Sequence, residues 1–87
     1  MARLIWSAQA AVVREALPEA ERTALERRLD YLRRMPRMYQ MAADERFPGC
    51  RSFWLAPTYR VFYMVGASSD DVYLAAILEE EVDRVEP

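Results

Sequence analysis

The residues able to carry chemistry in this 87-residue chain form a short list. All 12 basic residues are arginine, and lysine, histidine and asparagine are absent. Without histidine there is no imidazole general base, no Ser-His-Asp or Cys-His nucleophile, and no His-ligated metal. Without lysine there is no Schiff base and no P-loop lysine. The single cysteine, Cys50, excludes an intrachain disulfide and a Cys-rich zinc site; with only arginines beside it in sequence, it reads as a buried, inert thiol. What remains is guanidinium, carboxylate, phenol and hydroxyl chemistry, with no metal and no cofactor expected. A GC-rich genome also replaces lysine codons with arginine codons, so an arginine counts as a site residue only where its position argues for it.

Arg60 has such a position. It lies within Tyr59-Arg60-Val61-Phe62-Tyr63-Met64-Val65, the most strand-like stretch of the chain. Alternation puts Tyr59, Val61, Tyr63 and Val65 on one face and Arg60, Phe62 and Met64 on the other. A lone charge in so apolar a strand needs water, a partner carboxylate or a ligand. Arg46 and Arg51 flank Pro48-Gly49 and can grip a phosphate or a partner's carboxylate, or simply face solvent. Trp54 and Tyr63 offer ring faces for stacking on bases, or else belong to the core. Met38, Tyr39, Met41 and Phe47 form either an exposed apolar patch or a lid folded back over the core. Asp70-Asp71 reads as turn chemistry. Glu79-Glu80-Glu81 is a weak cation site, because consecutive strand residues point to opposite faces.

The elements that must hold these side chains follow from the pattern. Arg3-Leu4-Ile5-Trp6 is a short first strand. Ser7 caps a helix over 8–17 with Ala10, Val13 and Leu17 on one face. Pro18, followed by Glu19 and Glu21, opens a second helix over 19–35, with Leu25, Leu29 and Leu32 at helical spacing and Pro36 ending it. The helices form an antiparallel hairpin. After an irregular 36–50 come strands over 51–56, 59–65 and 72–78, with turns at Pro57-Thr58 and 66–71. The expectation is one α+β domain spanning 1–87: an N-terminal strand, a helical hairpin, then a three-stranded antiparallel meander with the hairpin packed on one face.

A chain of this length buries about 60% of its unfolded surface, enough for a modest core. It has no apolar run near the roughly 20 residues of a membrane span. A single thiol and no leader-like apolar start point to the cytoplasm. Charge is uneven. Residues 1–65 hold 11 arginines and 7 acids, net +4, whereas 66–87 hold 1 arginine and 7 acids, net −6. A basic body suits phosphate, and the acidic end at 79–87 reads as a solubilising tail.

Phe47-Pro48-Gly49-Cys50-Arg51-Ser52-Phe53-Trp54-Leu55, followed by the Tyr59-Arg60 strand, resembles the RelE/ParE superfamily of bacterial toxins. Pro36 after the long helix and Trp6 closing the first strand fit the same pattern. The resemblance implies the toxin of a type II toxin–antitoxin module, neutralised by a cognate antitoxin protein. RelE-like members are ribosome-dependent mRNA endoribonucleases that need no metal; ParE-like members inhibit DNA gyrase and are not nucleases. A non-toxic protein-binding relative is the further alternative. Fold alone does not choose among them. In the nuclease branch, Arg60 matches the phosphate-contacting arginine, with Arg51 and Glu79 as further catalytic candidates and Arg46, Trp54 and Tyr63 as substrate contacts. The strand positions where RelE-like enzymes carry alternate lysines hold Ser52 and Trp54. After the last strand, where the family has a basic residue and a Tyr or His, this chain has Glu79-Glu80-Glu81.

Overall fold

Apolar segments from both ends of the sequence meet in one sheet. The structure, a computed structural model, describes residues 2–55 and 58–80. Its elements are β1 (Leu4–Trp6), α1 (Ala8–Ala16), α2 (Glu19–Arg34), β2 (Arg51–Leu55), β3 (Tyr59–Val65) and β4 (Val72–Glu79). The helices start where the capping residues require. The Ser7 hydroxyl accepts the Ala10 N–H at 3.0 Å. Glu19 and Glu21 occupy the first turn of α2, with Arg33 and Arg34 in its last, each charge matched to the helix dipole.

The sheet has four strands in the order β1-β4-β3-β2, one more than the expected meander. β2, β3 and β4 are antiparallel as the sequence implies, and β1 adds in parallel to β4, from Leu4 opposite Val72 to Trp6 opposite Leu74. A parallel neighbour requires a long crossover, and here everything between β1 and β4 serves as one. Beyond the last β1 residue, side chains continue the edge of β4. The Ser7 hydroxyl donates to the Ala75 carbonyl at 2.8 Å. The Gln9 amide donates to the Ile77 carbonyl at 2.8 Å and accepts its N–H at 2.9 Å.

Helices cover one face of this sheet. Ala10, Leu17, Leu25, Leu29 and Leu32 are buried against Phe53, Leu55, Val61, Tyr63, Val72, Leu74 and Ile77. A smaller apolar cluster sits on the other face, where Cys50, Phe62 and Ala76 are buried and Ala42, Phe47 and Leu78 pack around them. The connection from α2 to β2 reaches both faces by wrapping the β2 edge. Tyr39 stacks on Phe53 at 4.7 Å on the helix side. The Ser52 N–H then donates to the Gln40 carbonyl at 3.2 Å, and the Ala42 N–H to the Cys50 carbonyl at 2.8 Å. Phe47 finally stacks on Phe62 at 4.3 Å on the opposite side. Gly49, at φ +81°, turns the chain back into β2. The segment is thus a lid for Tyr39 and Phe47, while Met38 and Met41 stay exposed.

A bulge interrupts β4. Phe62 lies opposite Ala76 and Tyr63 opposite Leu74, so Ala75 has no partner on β3. The extra residue reverses the alternation beyond it.

Candidate functional site

Alternation along β2 and β3 brings Arg60, Ser52, Trp54 and Phe62 to the face without helices, with Arg60 directly opposite Trp54 and Phe62 opposite Ser52. The Arg60 guanidinium lies between two rings, 4.8 Å from the Phe62 centroid and 5.5 Å from that of Trp54. Contact of this kind with aromatic faces holds a planar cation in place. One terminal nitrogen donates to the Ser52 hydroxyl at 3.2 Å. The other lies 3.8 Å from an Asp44 carboxylate oxygen, beyond hydrogen-bond length. Among the described residues, Arg60 Nε is the buried side-chain polar atom that lacks a partner. A guanidinium with donors to spare is a site able to accept more oxygen ligands.

The lid supplies the rest. Arg46 grips Asp44 through its side chain at 3.0 and 2.7 Å, and its backbone N–H donates to the same carboxylate at 2.9 Å. The terminal nitrogen that bonds Asp44 at 2.7 Å also donates to Glu80 at 2.6 Å, tying the lid to the end of β4. Hydrogen bonds from the Arg46 side chain and backbone hold Asp44 down at about 2, well below the usual carboxylate range. Arg46 also rides over the Phe47 and Phe62 rings, at 5.6 and 5.9 Å. Two guanidiniums and two carboxylates therefore share the patch, and their formal charges cancel.

The other candidates lie elsewhere. Arg51 belongs to the helix face, opposite Tyr63, and donates to the Tyr39 carbonyl at 2.7 Å and the Arg37 carbonyl at 3.3 Å. It anchors the lid at the sheet edge rather than joining Arg60. Tyr63 is 0% exposed in the helix-side core and its hydroxyl donates to the Pro36 carbonyl at 2.9 Å, so it presents no ring to a base. Burial pushes its phenol up to about 12. Glu79 pairs with Tyr59 and shares its face, because the bulge at Ala75 reverses the strand parity; Arg60 points to the opposite side. Glu80, the next residue, instead reaches Arg46 on the Arg60 side. Residues 81–87 of the acidic end, and Ala56 and Pro57 of the proposed turn, lie outside the described residues. Cys50 is buried, and burial raises its thiol, as expected of an inert cysteine.

Sequence reasoning missed Asp44 as the neighbour of Arg60 and Glu80 as the partner of Arg46. Asp44-Glu45-Arg46 ahead of Phe47-Pro48-Gly49 does announce a turn in which an Asp binds the N–H two residues on, but not the side of the sheet that this turn covers.

No protein-family model and no curated protein matches the sequence. Solved structures do match it in shape. A chain of the intact Escherichia coli RelBE toxin–antitoxin complex superposes with a TM-score of 0.77 at 20% identity, covering 94% of this chain and 100% of that one. The isolated E. coli RelE toxin gives 0.77 at 20% identity over 95% of this chain and 88% of its own. A YoeB/ParE toxin from Agrobacterium tumefaciens gives 0.75 at 13% identity over 90% and 98%. This chain has the RelE fold. In that fold Arg60 occupies the helix-free face, beside positions that hold Ser52 and Trp54 instead of the lysines the resemblance leads one to expect. The second guanidinium at the RelE-like face, Arg46, comes from the lid rather than from a strand. Among the described residues no three His, Cys, Asp or Glu side chains come together to hold a metal ion. No helix of that set is long and apolar enough to cross a membrane.

Proposed function

We propose that this protein is the toxin subunit of a type II toxin–antitoxin module, held inactive by a protein antitoxin, and that its helix-free sheet face binds RNA phosphate through Arg60. The observation that carries the reading is the match in shape to RelE over 95% of this chain, and to a chain of the RelBE complex over 94%. Arg60 supports the RNA part: a half-buried guanidinium lying over two rings, with one terminal nitrogen beyond hydrogen-bond length from Asp44, is suited to meet an oxyanion. Ribosome-dependent mRNA cleavage is the finer form of this proposal. In that reaction the 2′-oxygen attacks phosphorus, a base takes its proton, the 5′-oxygen leaves with a proton from an acid, and positive charge steadies the phosphorane. Arg60 fits the last role.

One observation favours a second reading, a non-cleaving toxin of the ParE kind. The carboxylate nearest Arg60, Asp44, sits at about 2 and is a poor acceptor for a hydroxyl proton. Induced expression without a partner arrests growth if the protein is a toxin, and normal growth overturns that. Primer extension then separates the branches: cuts at ribosomal A-site codons mark the RelE type, whereas intact mRNA with inhibited gyrase marks the ParE type. Arg60→Ala abolishes cutting in the first case, by at least about a hundredfold if it removes a transition-state contact. Unchanged cutting removes Arg60 from the site.

A further inference from the structure

We propose that Asp44 is a built-in anion that occupies the phosphate side of Arg60, so that the site as folded is closed by its own lid. The inference rests on the reading of Arg60 as a phosphate ligand. Three features of the geometry support it. First, the Asp44 carboxylate faces the terminal nitrogen of Arg60 that Ser52 does not use, at 3.8 Å. That distance is close enough for Coulomb attraction and too long for a hydrogen bond. Second, the carboxylate is sheltered, with its side chain 13% exposed and that of Arg60 23%, so solvent screens the pair only in part. Third, the lid, not the sheet, holds Asp44 there. Arg46 binds it from side chain and backbone, and Arg46 in turn is tied to Glu80 and lies over Phe47 and Phe62.

An incoming phosphodiester therefore competes with a carboxylate for the same guanidinium edge. To displace it, the lid turn 44–47 must swing away from Phe62. That movement carries Arg46 and Asp44 together, since they are bonded within the turn, and breaks the Arg46 bond to Glu80. Opening thus removes the carboxylate that faces Arg60 and leaves that guanidinium's free terminal nitrogen to the phosphate. Asp44 does not act as the general base, since its proton affinity is too low; it sets how readily the site opens.

The test is binding of a 2′-O-methyl single-stranded RNA oligonucleotide, which cannot be cleaved, to the full chain at low salt. Asp44→Asn keeps an oxygen for the Arg46 N–H and removes the charge facing Arg60. It is expected to bind the oligonucleotide roughly fivefold more tightly than the parent. Glu45→Gln, which removes an equal charge from the exposed neighbouring position, is expected to change binding less than about twofold. The gain from Asp44→Asn disappears when Arg60→Ala is added. If Asp44→Asn binds no more tightly while Arg60→Ala still weakens binding, Asp44 is a structural clamp and the proposal fails alone. If Glu45→Gln matches Asp44→Asn, the effect is bulk charge and the proposal fails. If Arg60→Ala binds like the parent, the phosphate reading of Arg60 falls, and this inference with it. Circular dichroism checks each variant for folding, and Asp44→Ser, whose hydroxyl also accepts from the Arg46 N–H, replaces Asp44→Asn should the latter unfold.

Discussion

The two faces of one four-stranded sheet are built on opposite terms. On the helix side, leucines from α2 and the apolar residues of all four strands close into a core whose polar atom at the centre, the Tyr63 hydroxyl, is satisfied by the Pro36 carbonyl. On the other side a loop replaces the helices, three residues are buried, and a guanidinium with an unpaired nitrogen sits among aromatic rings and carboxylates. Alternation along β3 generates this contrast from a single segment: Val61 and Tyr63 go one way, Arg60 and Phe62 the other. Stability is concentrated where the helices pack, and the half-covered face is left able to open. A partly buried charge costs stability wherever it sits, and Arg60, 23% exposed, sits where the covering is thinnest.

The largest effect on stability should come from the packed face. Leu29→Ala removes a side chain that is 1% exposed and leaves a cavity under α2. It should cost about 2–5 kcal/mol, a large part of the roughly 4–13 kcal/mol expected for a domain of this length. Denaturant unfolding measures it. A loss under about 1 kcal/mol would break the comparison, because α2 would then not carry the core.

Arg51 marks the boundary between the faces. Its guanidinium holds the Tyr39 and Arg37 carbonyls where the lid turns the β2 edge. Arg51→Ala should cost about 1–2 kcal/mol, the loss of charged hydrogen bonds to partly buried carbonyls. Once corrected for the fraction folded, its effect on growth arrest or RNA binding should be small beside that of Arg60→Ala. A loss of activity equal to that of Arg60→Ala in a fully folded protein would return Arg51 to the site.

Much of this contrast is legible in the sequence, for reasons that also explain the misses. Leu25, Leu29 and Leu32, capped by Pro18 and stopped by Pro36, announce α2 within a residue. The face of Arg60 follows from period-2 alternation. That rule fails in β4, because Leu74-Ala75-Ala76-Ile77 is apolar throughout and offers no alternation to reveal the extra residue, which places Glu79 on the face opposite Arg60. The pairing of β1 with β4 is invisible for another reason: its partners are 68 residues apart, and three residues carry no register signal. The connection 36–50 lacks periodicity. Its aromatics read equally as patch or lid, and only the placed chain shows Tyr39 and Phe47 on opposite sides of β2.

Titration should separate the faces most finely, since the helix-free face responds to acid and the packed face to base. Asp44 is held at about 2 against an ordinary 3.8, chiefly by hydrogen bonds from Arg46. Between those values the unfolded chain binds more protons than the folded one. The contribution of Asp44 is therefore present above the ordinary value and lost as pH falls toward about 2. The stability difference between the parent and Asp44→Asn should shrink over that window; a difference that stays constant would mean that the Arg46 clamp does not depend on the charge. Tyr63 works in the other direction. Its phenol is raised from 10.0 to about 12 by burial, so the folded state holds its proton after the unfolded state has released it. Its contribution is present below the ordinary value and lost as pH rises through about 12. Phenolate absorbance of the parent minus that of Tyr63→Phe should show a component with a midpoint near 12, in a variant whose loss of one hydroxyl costs only about 1 kcal/mol. A midpoint at the ordinary phenol value would put Tyr63 in contact with water. The packed face would then be as open as the face that carries Arg60, and the difference between them would no longer explain where a ligand enters.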